Sequence, residues 1–585
     1  MYKNLFKMLK LIAVFLALSG LAAAQTATLS PDLMSAVPTS TPKIIVRFKR
    51  APTDVDLRRI LALSQGGVLR KRLHSVKGGA FTVPAAALAR IAADSGVAYV
   101  SRDRRVRGKL DLTAAAVNAS AAWTAGWDGS GVGVAVIDSG VVASPDLLDS
   151  MGRFHVVDAM DFAGGGPVDQ YGHGTHVSGI IAANGTQSTC PACTRTFRGI
   201  APNANLIDLR VLDQNGESDD STVIQAIDAA IALKDQDNIR VINLSLGRPV
   251  FESYAQDPLC QAVEAAWQAG IVVVVAAGND GRDDSFNSSG YGTIGSPGND
   301  PYVITVGAMK TEGTPDLSDD LVASYSSKGP TSVDQIMKPD LVAPGNQVVS
   351  LLAQGATLPT QFPADLIPLS YYMQTSSSAL STGYFSLSGT SMATPVVSGA
   401  AADLLEAEPE LTPDQVKAKL MKTAFKAFPA NSSVFDPLTG NTYVDQYDAF
   451  TIGAGYLDLQ AALADTSLPS GPALSPTATW DPVSGNAYVS PAQSTVWNST
   501  PDYSLRSVWG DTVLPDGSNA LWGNQTAPWG VPLSASQSVW GDQIWGNRSV
   551  WGDRSVWGDR SVWGDQSVWG DRSVWGDAIL LKGEN

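Results

Sequence analysis

The chain has 585 residues, 44% hydrophobic and 16% charged, with 55 Gly and 34 Pro, which excludes fibrous and wholly disordered classes and leaves room for two to four domains. A formal charge of −16 argues against a nucleic-acid binder held by phosphate contacts. The charge is uneven: residues 1–109 carry 19 basic and 5 acidic side chains, a net +14, whereas residues 110–585 carry a net −30, a split expected of two mutually attractive parts or of a front part meant to be removed.

In chain order, residues 1–24 read as a secretory signal peptide: Lys3, Lys7 and Lys10 precede the apolar run Leu11–Leu18, and Ala22–Ala24 supply the small residues cut before Gln25. The run is too short to cross ~30 Å of hydrocarbon, and no later stretch reaches ~18 uninterrupted apolar residues. Within residues 25–110, a Ser/Thr/Pro spacer precedes a basic α+β module, Lys43–Arg107. Its order is strand (Lys43–Phe48), helix (Asp54–Leu63), strand (Gly79–Val83), helix (Pro84–Asp94) and strand (Val97–Ser101).

Residues 115–465 change pattern. Gly133–Ile137, Asn205–Leu212, Val241–Leu246, Ile271–Ala276 and Val303–Val306 are short β-branched runs of the kind buried on both faces. Helical patterns cover Thr222–Leu233, Gln261–Ala269, Thr390–Glu406 and Thr412–Thr423. Such alternation predicts an α/β domain, a parallel sheet flanked by helices, with working residues where strands end and helices begin. Cys190 and Cys193 are spaced to close a small disulfide loop outside the cell, leaving Cys260 single; a zinc site lacks two further ligands nearby. Residues 466–500, rich in Pro, Ser, Thr and Ala, read as a linker. Residues 501–585 hold a Ser-Val-Trp-Gly-Asp-Arg repeat of period six, with ten of the fifteen Trp, each followed by Gly.

Four short segments carry the chemistry. Val136-Ile-Asp138-Ser-Gly140 ends a buried strand in a carboxylate, costly there unless a cation or donor faces it; alone it also reads as a capping Asp in a turn. Asp169-Gln-Tyr-Gly-His173-Gly-Thr-His176 holds two of the four His at a helix start. Metal ligation is the rival there, but no third ligand lies at zinc-helix spacing. His173 falls in the turn, and His176 one turn inward reads as a packed, hydrogen-bonded histidine. Gly278-Asn279 follows a strand, and its amide is either a turn residue or a neutral donor for an oxyanion. Ser388-Gly-Thr-Ser391-Met-Ala-Thr-Pro395 opens a helix, placing Ser391 at its positive end; Pro395 is expected to be tolerated as a first-turn residue.

These segments, in this order, resemble the secreted subtilisin-like serine peptidases, the subtilases, over about Ala115 to Leu463; Gly453-Ala-Gly-Tyr-Leu-Asp458 is similar to the family's closing segment. The resemblance implies Asp138, His173 and Ser391 as a catalytic triad, Asn279 as oxyanion donor, and Lys43–Arg107 as an inhibitory propeptide cut off between about Arg107 and Val117. In that chemistry His173 takes the Ser391 proton, Asp138 holds the imidazole, and no cofactor enters. Ser245, Leu246 and Gly247 are similar to the strand that pairs with an extended protein or peptide substrate.

The family also implies structural calcium. Asp146 is the one ligand with a counterpart, because the loop beyond Ala183 is replaced by the Cys190–Cys193 insertion. Asp219, Asp220, Asp280, Asp283 and Asp284 are expected around the cleft, where they favour basic or neutral peptides or form an ordinary acidic surface. The Trp-Gly tail reads as low-complexity disorder, as an export or retention signal, or as a cell-surface anchor packing on a surface, glycan or partner. Two rival functions stay open on sequence grounds: an inactive scaffold working as an adhesion protein through its tail, and an acyl hydrolase acting on esters.

Overall fold

A computed structural model describes residues 28–30, 33, 41–74, 76–103, 105–108 and 116–481, apart from 150, 285–287, 313–316, 318, 430 and 437–438; beyond these it describes 486–490, 494, 496, 497, 503, 508 and 520–522. The chain divides into two compact units, residues 1–104 and 105–585. The expected signal peptide and nearly all of the Trp-Gly tail lie outside the described residues. Among the described residues no helix is long and apolar enough to cross a membrane.

The first unit is a five-stranded sheet ordered Thr28–Leu29, Val97–Arg102, Lys43–Phe48, Gly78–Thr82 and Val68–Leu73. One face of it is covered by apolar side chains including Ile44, Val46, Phe81 and Val100, packed with Leu57 and Ile60 of the helix Asp54–Ser64 and Leu88 and Ile91 of the helix Leu88–Ala92. Thr53 and Asp56 close the first helix's start with a capping box. Val68–Leu73 is a strand that the sequence pattern hides. Its Arg70-Lys71-Arg72 reads as a solvated charge run, yet cationic residues are what an edge strand carries to discourage further pairing.

The second unit is built on seven parallel strands: β1 (Gly133–Asp138), β2 (Val156–Asp161), β3 (Asn205–Arg210), β4 (Ile239–Leu244), β5 (Val272–Ala276), β6 (Ile304–Lys310) and β7 (Leu341–Pro344). They lie in the order β2-β3-β1-β4-β5-β6-β7, with Leu321–Val322 added antiparallel beside β6. β1, β5 and β6 are buried along their whole length, as expected for strands covered on both faces. The chain steps from β1 out to β2, comes back to β3 between them, and then crosses to the other side of β1 through β4. The carboxyl ends of β1, β3 and β4 therefore border a topological switch point.

The helices that flank the sheet include α1 (His173–Ala182), α2 (Asp220–Leu233), α3 (Pro258–Gln268), α4 (Thr390–Ala407) and α5 (Pro413–Thr423). α4 packs against α1 and across β4, β5 and β6, while α2 and α3 pack on each other. Thr412 caps α5 in a capping box with Gln415, and Pro413 occupies its first turn.

Residues 466–500 are not a free linker. Ala473, Leu474, Val496 and Trp497 are buried. Lys417 Nζ donates to Ser475 Oγ at 2.8 Å, the Met337 amide donates to the Pro476 carbonyl at 2.8 Å, and Trp497 Nε1 donates to the Leu474 carbonyl at 2.6 Å. Thr477–Asp481 and Asn486–Ser490 pair as a hairpin. The Pro/Ser/Thr composition conceals a strap whose few apolar residues anchor it to the domain.

Inside α4, Asp403 is fully buried and neither carboxylate oxygen has a hydrogen-bond partner. Burial, followed by the charges of Glu406 and Asp128, pushes its pKa up to about 9. The ordinary value is 3.8, so between about pH 4 and 9 the folded form holds a proton that the unfolded form releases. Stability then falls as pH rises through that window, by up to about 1.4 kcal/mol per pH unit. Asp403→Asn, which mimics the neutral acid, should raise the unfolding temperature at pH 8 by several degrees and change it little near pH 4, as measured by thermal unfolding at the two pH values.

Candidate active site

Asp138 ends β1 with its side chain wholly buried, and two donors meet it. The Ser139 amide donates to Oδ1 at 2.8 Å, and His173 Nδ1 lies 2.8 Å from Oδ1 and 3.0 Å from Oδ2. A carboxylate can only accept here, so Nδ1 carries the proton and the Nε2 lone pair is left as a base. Nε2 is buried and has no hydrogen-bond partner.

His173 is held at this distance by the start of α1. Gly172 occupies the helix N-cap at φ 103°, a left-handed conformation, and offers no side-chain cap. Asp169 does the capping from a distance. Its Oδ1 accepts from Ser139 Oγ at 2.8 Å and the Gly172 amide at 2.6 Å, and its Oδ2 accepts from the amide and hydroxyl of Thr175 at 2.9 and 2.7 Å. Burial raises its pKa against those bonds. Ser139 Oγ in turn accepts from the Gly174 amide at 2.8 Å. A Cβ on Gly174 would fall 2.4 Å from the Gly140 carbonyl oxygen, so glycine is what lets the turn after β1 meet the start of α1. The sequence assigns Asp169 no role; its signal is an acidic residue four positions ahead of a helix that has no other cap.

Ser391 lies in the first turn of α4, with Oγ buried and unpartnered. Pro395 is not a first-turn residue as the sequence suggested: it follows Ser391 by four positions, where a normal amide would bond the Ser391 carbonyl. Ser245 Oγ supplies the missing donor at 2.8 Å. Asn243 Nδ2 donates to Ser245 Oγ at 3.0 Å, and Ser398 Oγ donates to Asn243 Oδ1 at 2.8 Å. This chain of bonds ties β4 to the helix turn that carries Ser391.

Asn279 follows β5. Its Oδ1 accepts from the Thr390 amide and hydroxyl, both at 3.0 Å. A backbone N–H can only donate, so the amide orientation is fixed and Nδ2 is the group left over; it too is buried without a partner. His173 Nε2, Ser391 Oγ and Asn279 Nδ2 are thus three buried polar atoms left unsatisfied on residues that the sequence singled out, an arrangement costing about 1–3 kcal/mol per group. No hydrogen bond joins Nε2 to Ser391 Oγ here; such bonds tighten when substrate arrives.

His176 faces elsewhere. Its Nε2 lies 3.2 Å from each of the Val348 and Phe385 carbonyls, so it donates there, and burial followed by the charge of His173 lowers its pKa to about 3. It is the packed, hydrogen-bonded histidine expected.

Asp146 is buried, and both its oxygens are occupied by protein donors: the Gln187 amide at 2.6 Å on Oδ1 and the Tyr384 hydroxyl at 2.5 Å on Oδ2. Burial raises its pKa in opposition to these bonds. Among the described residues no group of three or more His, Cys, Asp or Glu could hold a metal ion. Donors aimed at the carboxylate, with no second carboxylate beside it, do not fit a calcium ligand set. Tyr384 comes from the strand Leu380–Leu387, 238 residues away in sequence, so no local pattern could have announced it. Cys190 and Cys193 are joined in a disulfide, and Cys260 is buried and free.

Beside Ser391 lies a groove one strand wide. Arg105–Gly108 runs between Glu217–Asp219 and Leu246–Gly247, antiparallel to both. Of the acidic residues expected around the cleft, Asp219 belongs to this rim, while Asp280 directly follows Asn279 and Asp283 and Asp284 are exposed. Asp220 is buried instead: Arg248 Nε donates to it at 2.9 Å, and Arg248 Nη2 donates to the two oxygens of Asp257 at 2.7 and 2.8 Å. The sequence did not flag Arg248, because a lone Arg after a strand looks like a surface charge.

The subtilase family model matches residues 129–455. The serine protease AprX of Bacillus subtilis (strain 168) is 37% identical over 390 residues, covering 64% of this chain and 81% of that protein. Subtilisin E of the same organism is 31% identical over 427 residues, 72% of this chain and 90% of that one. An extracellular serine proteinase of Thermus sp. (strain Rt41A) is 33% identical over 394 residues, 65% and 78% of the two chains. Fervidolysin from Fervidobacterium pennivorans, a keratinolytic enzyme related to subtilisin, shares the fold with a TM-score of 0.53 at 23% identity; the match covers 76% of this chain and spans 64% of that one.

Removing the Tyr384 hydroxyl leaves a buried Asp146 oxygen without its donor. Tyr384→Phe should cost about 1–3 kcal/mol in denaturant unfolding, equally with calcium and with chelator. A loss restored by calcium would mark Asp146 as a cation ligand after all.

Proposed function

The chain belongs to the subtilase family and is a subtilisin-like serine peptidase, and we propose that Asp138, His173 and Ser391 are its catalytic triad, with Asn279 as oxyanion donor. One observation carries this reading: the Asp138–His173 pair leaves Nε2 as a buried base with no partner, while Ser391 Oγ and Asn279 Nδ2 are likewise buried and unpartnered. Ser391 is a poor nucleophile until His173 Nε2 takes its proton, and Asp138 stabilises the imidazolium that results. Attack on a peptide carbonyl produces an oxyanion, to which the Asn279 amide and the Ser391 backbone N–H donate. His173 then passes the proton to the leaving amine, and water repeats the cycle on the acyl-enzyme. Side chains and backbone donors suffice for each step.

The substrate lies as an extended strand against Ser245-Leu246-Gly247, so backbone hydrogen bonds supply affinity and unfolded or loop segments of proteins are favoured. That the groove already accommodates Arg105–Gly108 as a strand supports this. It also supports a precursor whose residues 25–110 assist folding, block the cleft, and are cut off by the enzyme itself between about Arg107 and Val117. Residues 1–24 direct secretion, in keeping with the extracellular proteinase among the relatives. The Trp-Gly tail serves association with the cell surface.

Ser391→Ala should abolish casein hydrolysis and leave the precursor uncut, while wild-type protein shows by intact mass a new amino terminus within residues 108–117. An uncut wild-type protein that still hydrolyses casein would remove self-processing from this account. Asn279→Ala should lower kcat by about 10²–10³-fold with little change in KM, the size of loss known for the side-chain oxyanion donor of subtilisin itself; steady-state kinetics on a peptide amide checks it.

A further inference from the structure

We propose that Glu217 and Asp219 read basic side chains at two alternating positions of the substrate, so that the preferred substrates are extended segments carrying Arg or Lys at both. The proposal rests on the peptidase reading of this groove and names the substrate class it takes.

The register carries the inference. Glu217 lies opposite Arg107, Ser218 opposite Val106, and Asp219 opposite Arg105. Directly opposed residues of an antiparallel pair share a face, and alternate residues return to the same face. In this register Glu-x-Asp of the rim lies opposite Arg-x-Arg of the strand in the groove, with Ser218 opposite Val106 at the position between. Acidic and basic residues coincide at both matching positions, and neither charge type appears at the position between.

Polarity fixes which side of the cleaved bond is read. Gly108 lies opposite Leu246, next to Ser245, whose hydroxyl bonds the Ser391 carbonyl. The carboxyl end of the occupying strand thus runs toward the nucleophile, and the two basic positions belong to the amino-terminal side of the bond.

The rim is held rigidly. Asp220 follows Asp219 directly, Arg248 follows Gly247 directly, and the two side chains join at 2.9 Å in the interior. Arg248 is fixed again by Asp257, the N-cap of α3, and its backbone exchanges hydrogen bonds with Ser296 at 3.0 and 2.8 Å. Both edges of the groove are therefore tied to one buried guanidinium, which holds them a single strand apart. Asp220 is neutralised by that pairing and takes no part in recognition.

Cross-strand pairs of opposite charge together favour the doubly basic peptide about 2- to 30-fold in kcat/KM. The test uses a fluorogenic peptide copying residues 103–118 and two versions in which the positions of Arg105 and Arg107 are both Ala or both Glu, cleaved by the purified secreted enzyme. Wild type should prefer Arg over Ala over Glu, with the differences shrinking at high salt. The E217Q/D219N variant should bring the three rates together, and E217K/D219K should invert the order, a reversal that loss of structure does not produce. Equal cleavage of the Arg and Ala peptides by wild type overturns the proposal while leaving the peptidase reading standing. If none of the peptides is cleaved, the peptidase reading fails first.

Discussion

A carboxylate in the interior of a protein is tolerated only where donors meet it, and the hydrogen bond between Asp138 and His173 Nδ1 is the contact that makes this one tolerable. Much of the second unit serves that contact. β1 delivers the carboxylate to the carboxyl-terminal end of a parallel sheet, Gly174 lets the next turn approach to backbone distance, and Asp169 binds the two turns together with four close donors. The second buried acid, Asp169, is itself met by Ser139 Oγ and by amides and a hydroxyl at the start of α1.

The nucleophile side is built on a different principle. Pro395 breaks the helix ladder four residues after Ser391, and the donor it removes is replaced by Ser245 at the end of β4, backed by Asn243 and Ser398. Sheet and helix are thereby joined at the residue whose position matters most for the proposed chemistry. Asn279 is oriented by the same turn, because its oxygen is claimed by Thr390 and only its amide nitrogen is left for another partner. Polar groups elsewhere in the interior are mostly paired. Leaving these three unpaired, two at helix starts and one after a strand, is costly for the fold and useful to an acyl-transfer enzyme.

Two other features show internal bonds at positions where an external ion or a solvated charge was expected. Asp146 is met by a tyrosine hydroxyl and a backbone amide, so its carboxylate is integrated into the fold by hydrogen bonds. Arg248, with Asp220 and Asp257, turns what looks like surface charge into a buried brace under the groove. A buried ion triad contributes little net stability compared with apolar packing, but it fixes distances, and here it spans the two edges of a peptide-sized channel.

The alternation of β-branched runs with helical patterns determined an α/β parallel sheet, and the motif segments around Asp138, His173, Asn279 and Ser391 determined which strand and helix ends to inspect, because both signals are local and periodic. Strands with charged or mixed faces, such as Val68–Leu73 and Val156–Asp161, escaped that reading, since exposure on one side erases the apolar run. The Pro/Ser/Thr stretch at 466–500 misled for the opposite reason, as a few buried side chains outweigh its average composition. Only the tertiary structure decided that Asp169 caps the histidine helix, that Ser245 substitutes for the proline's missing donor, that Tyr384 occupies Asp146, and that Arg248 is interior. The last three are bonds between residues 28 to 238 positions apart, and the first depends on which side of its turn Asp169 faces. Distances of that kind are set by how the sheet and helices pack, and no single stretch of chain encodes them.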